Sequence, residues 1–129
     1  MHITQIDHLV LTVQDISATC DFYGRVLGMQ VVTFGQGRTA LVFGQQKINL
    51  HLYRQEFEPK ARHPTPGSAD LCFITHLTLE EAIAHVQHCG VAIEEGIVER
   101  TGATGRIRSI YFRDPDGNLL ELSNYFESQ

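Results

Sequence analysis

His8-Leu9-Val10-Leu11-Thr12 and, 62 residues later without a gap, Asp70-Leu71-Cys72-Phe73-Ile74 read as one element written twice. Each alternates with a period of two, as a half-buried strand does. Each is followed by a helical pattern that stops at glycine, Leu27-Gly28 in the first copy and Cys89-Gly90 in the second. The first helix starts near Asp15, a good N-cap, with Ile16, Cys20, Tyr23 and Leu27 as its buried stripe. The second starts at Thr78, whose capping-box partner is Glu81, with Leu79, Ile83 and Val86 buried and Gly90 just past the end.

Three strand-like segments follow each helix, over 29–34, 38–43 and 47–53 and then over 91–98, 107–113 and 118–125. Gly35-Gln36-Gly37, Gly44-Gln45-Gln46 and Asp114-Pro115-Asp116-Gly117 supply turn chemistry between them. Residues 54–68, charged and carrying Pro59, Pro64 and Pro66, form the linker. The expected fold is α+β, with βαβββ modules at 4–53 and 69–126 inside a single domain spanning 1–129. One helix covers one face of each module's sheet and leaves the other bare, so two copies are expected to close that face into a cup-shaped mixed sheet.

Composition narrows the function. A chain of 129 residues, 43% apolar and 19% charged, is that of a soluble globular domain with a sizeable core. Its net charge of −5 and lack of a basic cluster argue against nucleic acid or an anionic membrane as partner. There is no apolar run of the roughly 20 residues that span a bilayer, and no signal-peptide pattern. Cys20, Cys72 and Cys89 are odd in number and lack CxxC spacing, so they read as reduced, mostly buried thiols of a cytoplasmic protein.

Strand alternation then assigns faces. In the opening strands His8, Val10 and Thr12, and Asp70, Cys72 and Ile74, point away from the helices. In the closing strands Asn49, His51 and Tyr53, and Glu121 and Ser123, do the same. Overlaying 119–125 on 47–53 makes Glu121 the repeat mate of Asn49, as Asp70 is of His8. An ionisable group inside an apolar strand is costly unless something compensates it, and a metal ion does so. His8, Glu121 and one or two of His51, Asp70 and Asn49 make a mixed N/O set that suits Mn²⁺, Fe²⁺, Ni²⁺, Co²⁺ or Zn²⁺. His51 lies one same-face step, about 7 Å, from Asn49. Arg106 and Arg108, beside a glycine-rich loop, either hold an anionic substrate or guard an exposed strand edge.

Asp7-His8-Leu9-Val10-Leu11-Thr12-Val13, Phe22-Tyr23 with Val26-Leu27-Gly28-Met29, and the run from Phe112 through Asp114-Pro115-Asp116-Gly117 to Leu122 resemble the vicinal-oxygen-chelate superfamily of glyoxalases, bleomycin-binding proteins and extradiol dioxygenases. Asn49-Leu50-His51, Phe57-Glu58-Pro59-Lys60-Ala61 and Pro66-Gly67-Ser68 are similar to its small glyoxalase-domain members. The resemblance implies paired βαβββ modules, a homodimer and a divalent metal held from the first, fifth and eighth strands. His8 and Glu121 match its ligand positions; Asp70 stands where histidine is usual, and Asn49 where glyoxalases carry glutamate or glutamine. His51 matches only the smaller group. The implied activity is that of a metal-dependent, lactoylglutathione lyase-like enzyme on a small-molecule substrate, with Glu121 as proton shuttle and glutathione or another thiol as co-substrate. A thiol transferase opening an epoxide, an extradiol dioxygenase and a metal-free drug- or metabolite-binding protein are the alternatives.

Overall fold

The structure is a computed structural model that describes residues 1–126; the last three positions of the expected 1–129 span lie outside it. The chain forms two compact units, Met1–Gly67 and a second from Ser68 onward. Residues 54–67 of the expected linker therefore belong to the first unit. Among the described residues no helix is long and apolar enough to cross a membrane.

The first unit runs β1 (His8–Val13), α1 (Ile16–Leu27), β2 (Gln30–Phe34), β3 (Arg38–Phe43) and β4 (Gln46–Leu52). The second repeats the order with β5 (Asp70–Ile74), α2 (Leu79–His88), β6 (Glu95–Thr101), β7 (Arg106–Arg113) and β8 (Leu119–Tyr125). Each unit holds a four-stranded mixed sheet, ordered β1-β4-β3-β2 in one and β5-β8-β7-β6 in the other. In both, the opening strand runs parallel to the closing one, and the other pairs are antiparallel. Register confirms the repeat: His8 pairs with Lys47, and Asp70 with Leu119, the two pairings that the overlay equates.

Local chemistry sets the helix ends. The Asp15 carboxylate accepts from the Ala18 N–H at 2.9 Å, and Gly28 closes α1 in the left-handed region at φ 69°. Gly28 N–H reaches the Gly24 carbonyl there, and Met29 N–H the Tyr23 carbonyl. Thr78 caps α2 by accepting from Glu81 N–H at 3.2 Å, and Gly90 follows its end at φ 83°. Thr78→Ala is expected to cost about 1 kcal/mol, read as a lower urea midpoint at unchanged slope.

The buried stripes differ from the expected ones. In α1 they are Thr19, Phe22, Tyr23 and Val26, and in α2 Leu79, Ala82 and Val86. Thr19 is tolerated inside because its hydroxyl donates to the Asp15 carbonyl at 2.8 Å. Leu11, Val13, Ile48 and Leu50 are buried in the first sheet, and Ile110, Phe112, Leu120 and Leu122 in the second. The sixth strand also moves, from 91–98 to Glu95–Thr101. Val91 and Ile93 mimic strand alternation but precede the paired stretch, and a register irregularity separates Glu95 from Val98.

Candidate functional site

The first unit presents β1 and β4 on the sheet face away from α1. His8 sits at the start of β1, and its Nδ1 lies 2.8 Å from Asp7 Oδ2. A carboxylate only accepts, so Nδ1 donates in this pair, and Nε2 is the ring nitrogen that the pair does not engage. Asn49 and His51 were expected to face out, and they do lie on this face, yet both are buried, at 6% and 3% exposure. The His51 ring meets Phe57 edge-on with centroids 5.7 Å apart, and Arg38 lies 4.8 Å from the Phe57 centroid. Burial first, then the Arg38 guanidinium, pushes His51 below the usual histidine range, with Glu56 opposing. His51 is therefore neutral at pH 7. Its Nε2 and the Oδ1 of Asn49 are buried without a hydrogen-bond partner. Two neighbouring buried polar atoms without a hydrogen-bond partner, a carbonyl oxygen and a ring nitrogen on one strand face, are an open demand for a polar ligand.

Register sorts these residues further. Asn49 lies opposite Val10, one diagonal step from His8, whereas His51 lies opposite Thr12. His51 is thus four positions, roughly 13 Å, along the strands from His8.

The second unit presents the equivalent face. Glu121 lies opposite Cys72 on one side and Tyr111 on the other, and Asp70 is one diagonal step away. Ser109 donates to Glu121 Oε2 at 2.5 Å, and the Ser109 and Ser123 hydroxyl oxygens are 2.7 Å apart. Cys72 Sγ lies 3.3 Å from Ser123 Oγ. The acceptor-only carboxylate takes the Ser109 proton, so the Ser123 hydroxyl is left to donate to Ser109 or, at 3.5 Å, to Glu121 Oε2. Although the residue is exposed, partial desolvation of its sulfur and then the nearby Glu121 carboxylate push the Cys72 thiol up, against the Ser123 hydrogen bond, so it stays protonated. A cleft of about 400 Å³ opens on this face, lined by Cys72, Ile74, Arg100, Tyr111, Glu121 and Tyr125 among others. Such volumes lie at the lower end of small-molecule pockets.

The structure thus places His8 with Asn49 in one unit, and Asp70 with Glu121 in the other, at matching register positions. Within neither unit, among the described residues, do three His, Cys, Asp or Glu side chains gather around one point. Each unit by itself offers donor atoms of a cation-binding kind: in the first a carboxylate behind His8 Nδ1, the usual arrangement for a ligating histidine, with Asn49 on the same face, and in the second the Ser109-held Glu121.

Three expectations need correction. None of the three cysteines is buried; Cys72 is exposed and the others are intermediate. Arg106 and Arg108 lie on the helix side of β7, opposite to Ser109 and Tyr111, where Arg106 pairs with Glu99 at 2.6 Å and Arg108 with Glu80 at 3.5 Å. Nor is β7 an edge, since β6 lies outside it. Arg100 and Tyr111, which line the cleft, and the buried Ser109, which holds Glu121, were missed. Alternation from Ile107 through Ser109 to Tyr111 carries the signal for two of them.

The family model described as Glyoxalase/Bleomycin resistance protein/Dioxygenase superfamily matches residues 5–122. The chain is 62% identical over 125 residues to Virulence protein STM3117 of Salmonella typhimurium, covering 97% of this chain and 87% of that protein. The crystal structure of that protein superposes with a TM-score of 0.96, covering 98% of this chain and all of the other. Glyoxalase domain-containing protein RDO1 of Mycosarcoma maydis is 56% identical over 129 residues, covering 100% of this chain and 73% of the relative. Biphenyl-2,3-diol 1,2-dioxygenase 2 of Rhodococcus globerulus is 28% identical over 116 residues, covering 89% of this chain and 60% of the relative.

Proposed function

Because this chain belongs to the Glyoxalase/Bleomycin resistance protein/Dioxygenase superfamily, we propose that it is a metal-dependent, glyoxalase-like enzyme acting on a small substrate with adjacent oxygens. His8 and Glu121 hold one divalent cation in this reading, with Asp70 and either Asn49 or His51 completing the set. Register favours Asn49, which lies nearer His8 along the strands. The observation that carries the reading is the Asp7 carboxylate behind His8 Nδ1, which leaves Nε2 as the donor.

The cation, when bound, supplies Lewis acidity toward substrate oxygens. The chain supplies the rest. Ser109 holds Glu121 Oε2 at 2.5 Å and so orients Oε1, the atom proposed to take and return a substrate proton. Ser109→Ala is expected to weaken cation affinity about 10- to 100-fold in calorimetry, with Ser109→Thr retaining much of it. Equal affinity in Ser109→Ala would remove the positioning role.

Turnover of the methylglyoxal–glutathione adduct by protein loaded with Mn²⁺, Ni²⁺, Co²⁺, Fe²⁺ or Zn²⁺ tests the proposal. Activity that depends on the added ion and is lost in His8→Ala supports it; undiminished activity in His8→Ala refutes it. A second reading, oxygen insertion into catechols, is favoured by the likeness to the Rhodococcus globerulus dioxygenase. Oxygen uptake by the Fe²⁺-loaded protein with catechol discriminates the two.

A further inference from the structure

We propose that the cleft of the second unit takes a small organic substrate by its anionic end, through Arg100, with Tyr111 holding the guanidinium in position. The inference rests on the preceding reading only in taking this sheet face as the substrate side; it requires neither a metal nor turnover.

Arg100 is the one cation lining the cleft among the described residues. It pairs with Ile107, which in turn pairs with Tyr125, so it stands on the Glu121 side of the sheet. Its Nε donates to the Tyr111 hydroxyl at 3.0 Å, Nη1 to the Glu99 carbonyl at 3.0 Å, and Nη2 to Glu95 at 3.5 Å. A guanidinium has five N–H groups, so these bonds leave two, one on each terminal nitrogen. The group also lies 5.5 Å from the Tyr111 ring centroid. A guanidinium held by its Nε and by an aromatic face, with one N–H free on each terminal nitrogen, matches a carboxylate or phosphate group.

The remainder of the cleft is also built. Ile74, Ala103, Ile107 and Tyr125 give it apolar walls. The Tyr125 hydroxyl accepts from Thr104 N–H at 3.2 Å, and a Cβ on Gly102 would fall 2.9 Å from that hydroxyl oxygen and 2.9 Å from Ile107. Glycine at 102 lets the loop press onto the wall. Glu121 lies on β8 and Arg100 on β6, with β7 between them. Arg100 stands opposite Ile107, four positions along β7 from Tyr111, the residue opposite Glu121, and its guanidinium reaches back to the Tyr111 hydroxyl. Arg106 and Arg108, on the opposite face, provide internal controls.

Amide NMR titration of the whole protein with benzoate and with its neutral isostere benzamide tests this. Benzoate is expected to shift the amides of 100–103 and 111 and to bind about tenfold more tightly than benzamide, about 1.4 kcal/mol. Arg100→Gln should abolish that preference, Tyr111→Phe should reduce it, and Arg106→Gln should keep it. Equal binding of the two probes, binding of neither, or a preference that survives Arg100→Gln overturns the proposal. Loss of the preference in a protein that still turns over substrate in a metal-dependent way would sink this inference alone. An Arg100-dependent preference in an inactive protein would sink only the enzymatic reading.

Discussion

Replacing Glu121 with glutamine is expected to lower turnover by about 10²- to 10⁴-fold, the usual contribution of a positioned general acid or base. Glutamine keeps the length and shape of the side chain, and its carbonyl can still accept the Ser109 proton that Glu121 Oε2 receives at 2.5 Å. What it loses is the negative charge and an oxygen able to carry a proton. Ser123, fully buried next to Ser109, should therefore stay packed. The thermal midpoint is expected to hold while kcat collapses. A fall in kcat of less than about tenfold, with cation binding intact, would take Glu121 out of the chemistry.

The second large effect is on stability. Asn118 is 1% exposed in the turn between β7 and β8, and its side chain joins three pieces of the second unit. Its Nδ2 donates to Asp114 Oδ2 at 2.8 Å, and its Oδ1 accepts the Ala69 N–H at 2.8 Å. Asp114 Oδ1 in turn accepts the backbone N–H groups of Asp116 and Asn118. Asn118→Ala removes a hydrogen bond to a carboxylate that is 6% exposed, at about 1.5–3 kcal/mol, and a neutral one at about 0.5–1.5 kcal/mol. The expected loss of about 2–4 kcal/mol is measurable by urea unfolding. Ala69 directly precedes Asp70, so the same change should loosen the start of β5, seen as faster amide exchange at 69–72. A loss below about 1 kcal/mol would mean that the turn does not hold β5 in place.

What could be read in the sequence was what is local. Asp15, Gly28, Thr78 and Gly90 mark helix ends because capping uses groups within a few residues. The repeat of His8–Thr12 in Asp70–Ile74 marks two copies of one strand-and-helix unit, and period-two alternation sets which residues share a sheet face. Burial from a distant segment could not be read. Asn49 and His51 alternate as solvent-facing residues do, but both lie buried, and Phe57 from the 54–67 stretch packs against His51. The α1 stripe shifted because Thr19, polar in sequence, satisfies its hydroxyl inside the helix and can be buried. Arg100 escaped notice because the irregular pairing between Glu95 and Val98 breaks the alternation by which β6 would be found. With the strand placed too early, attention fell on Arg106 and Arg108, which answer to Glu99 and Glu80 on the helix side.

The claim that one cation is shared by donors from both units can be checked by adding Mn²⁺ to the ¹⁵N-labelled protein and following paramagnetic loss of amide signals. Residues 7–9 and 120–122 are expected to fade together and to be complete at one equivalent, with both losses abolished in His8→Ala. Fading confined to one of the two stretches, or no selective fading at all, would contradict the shared site.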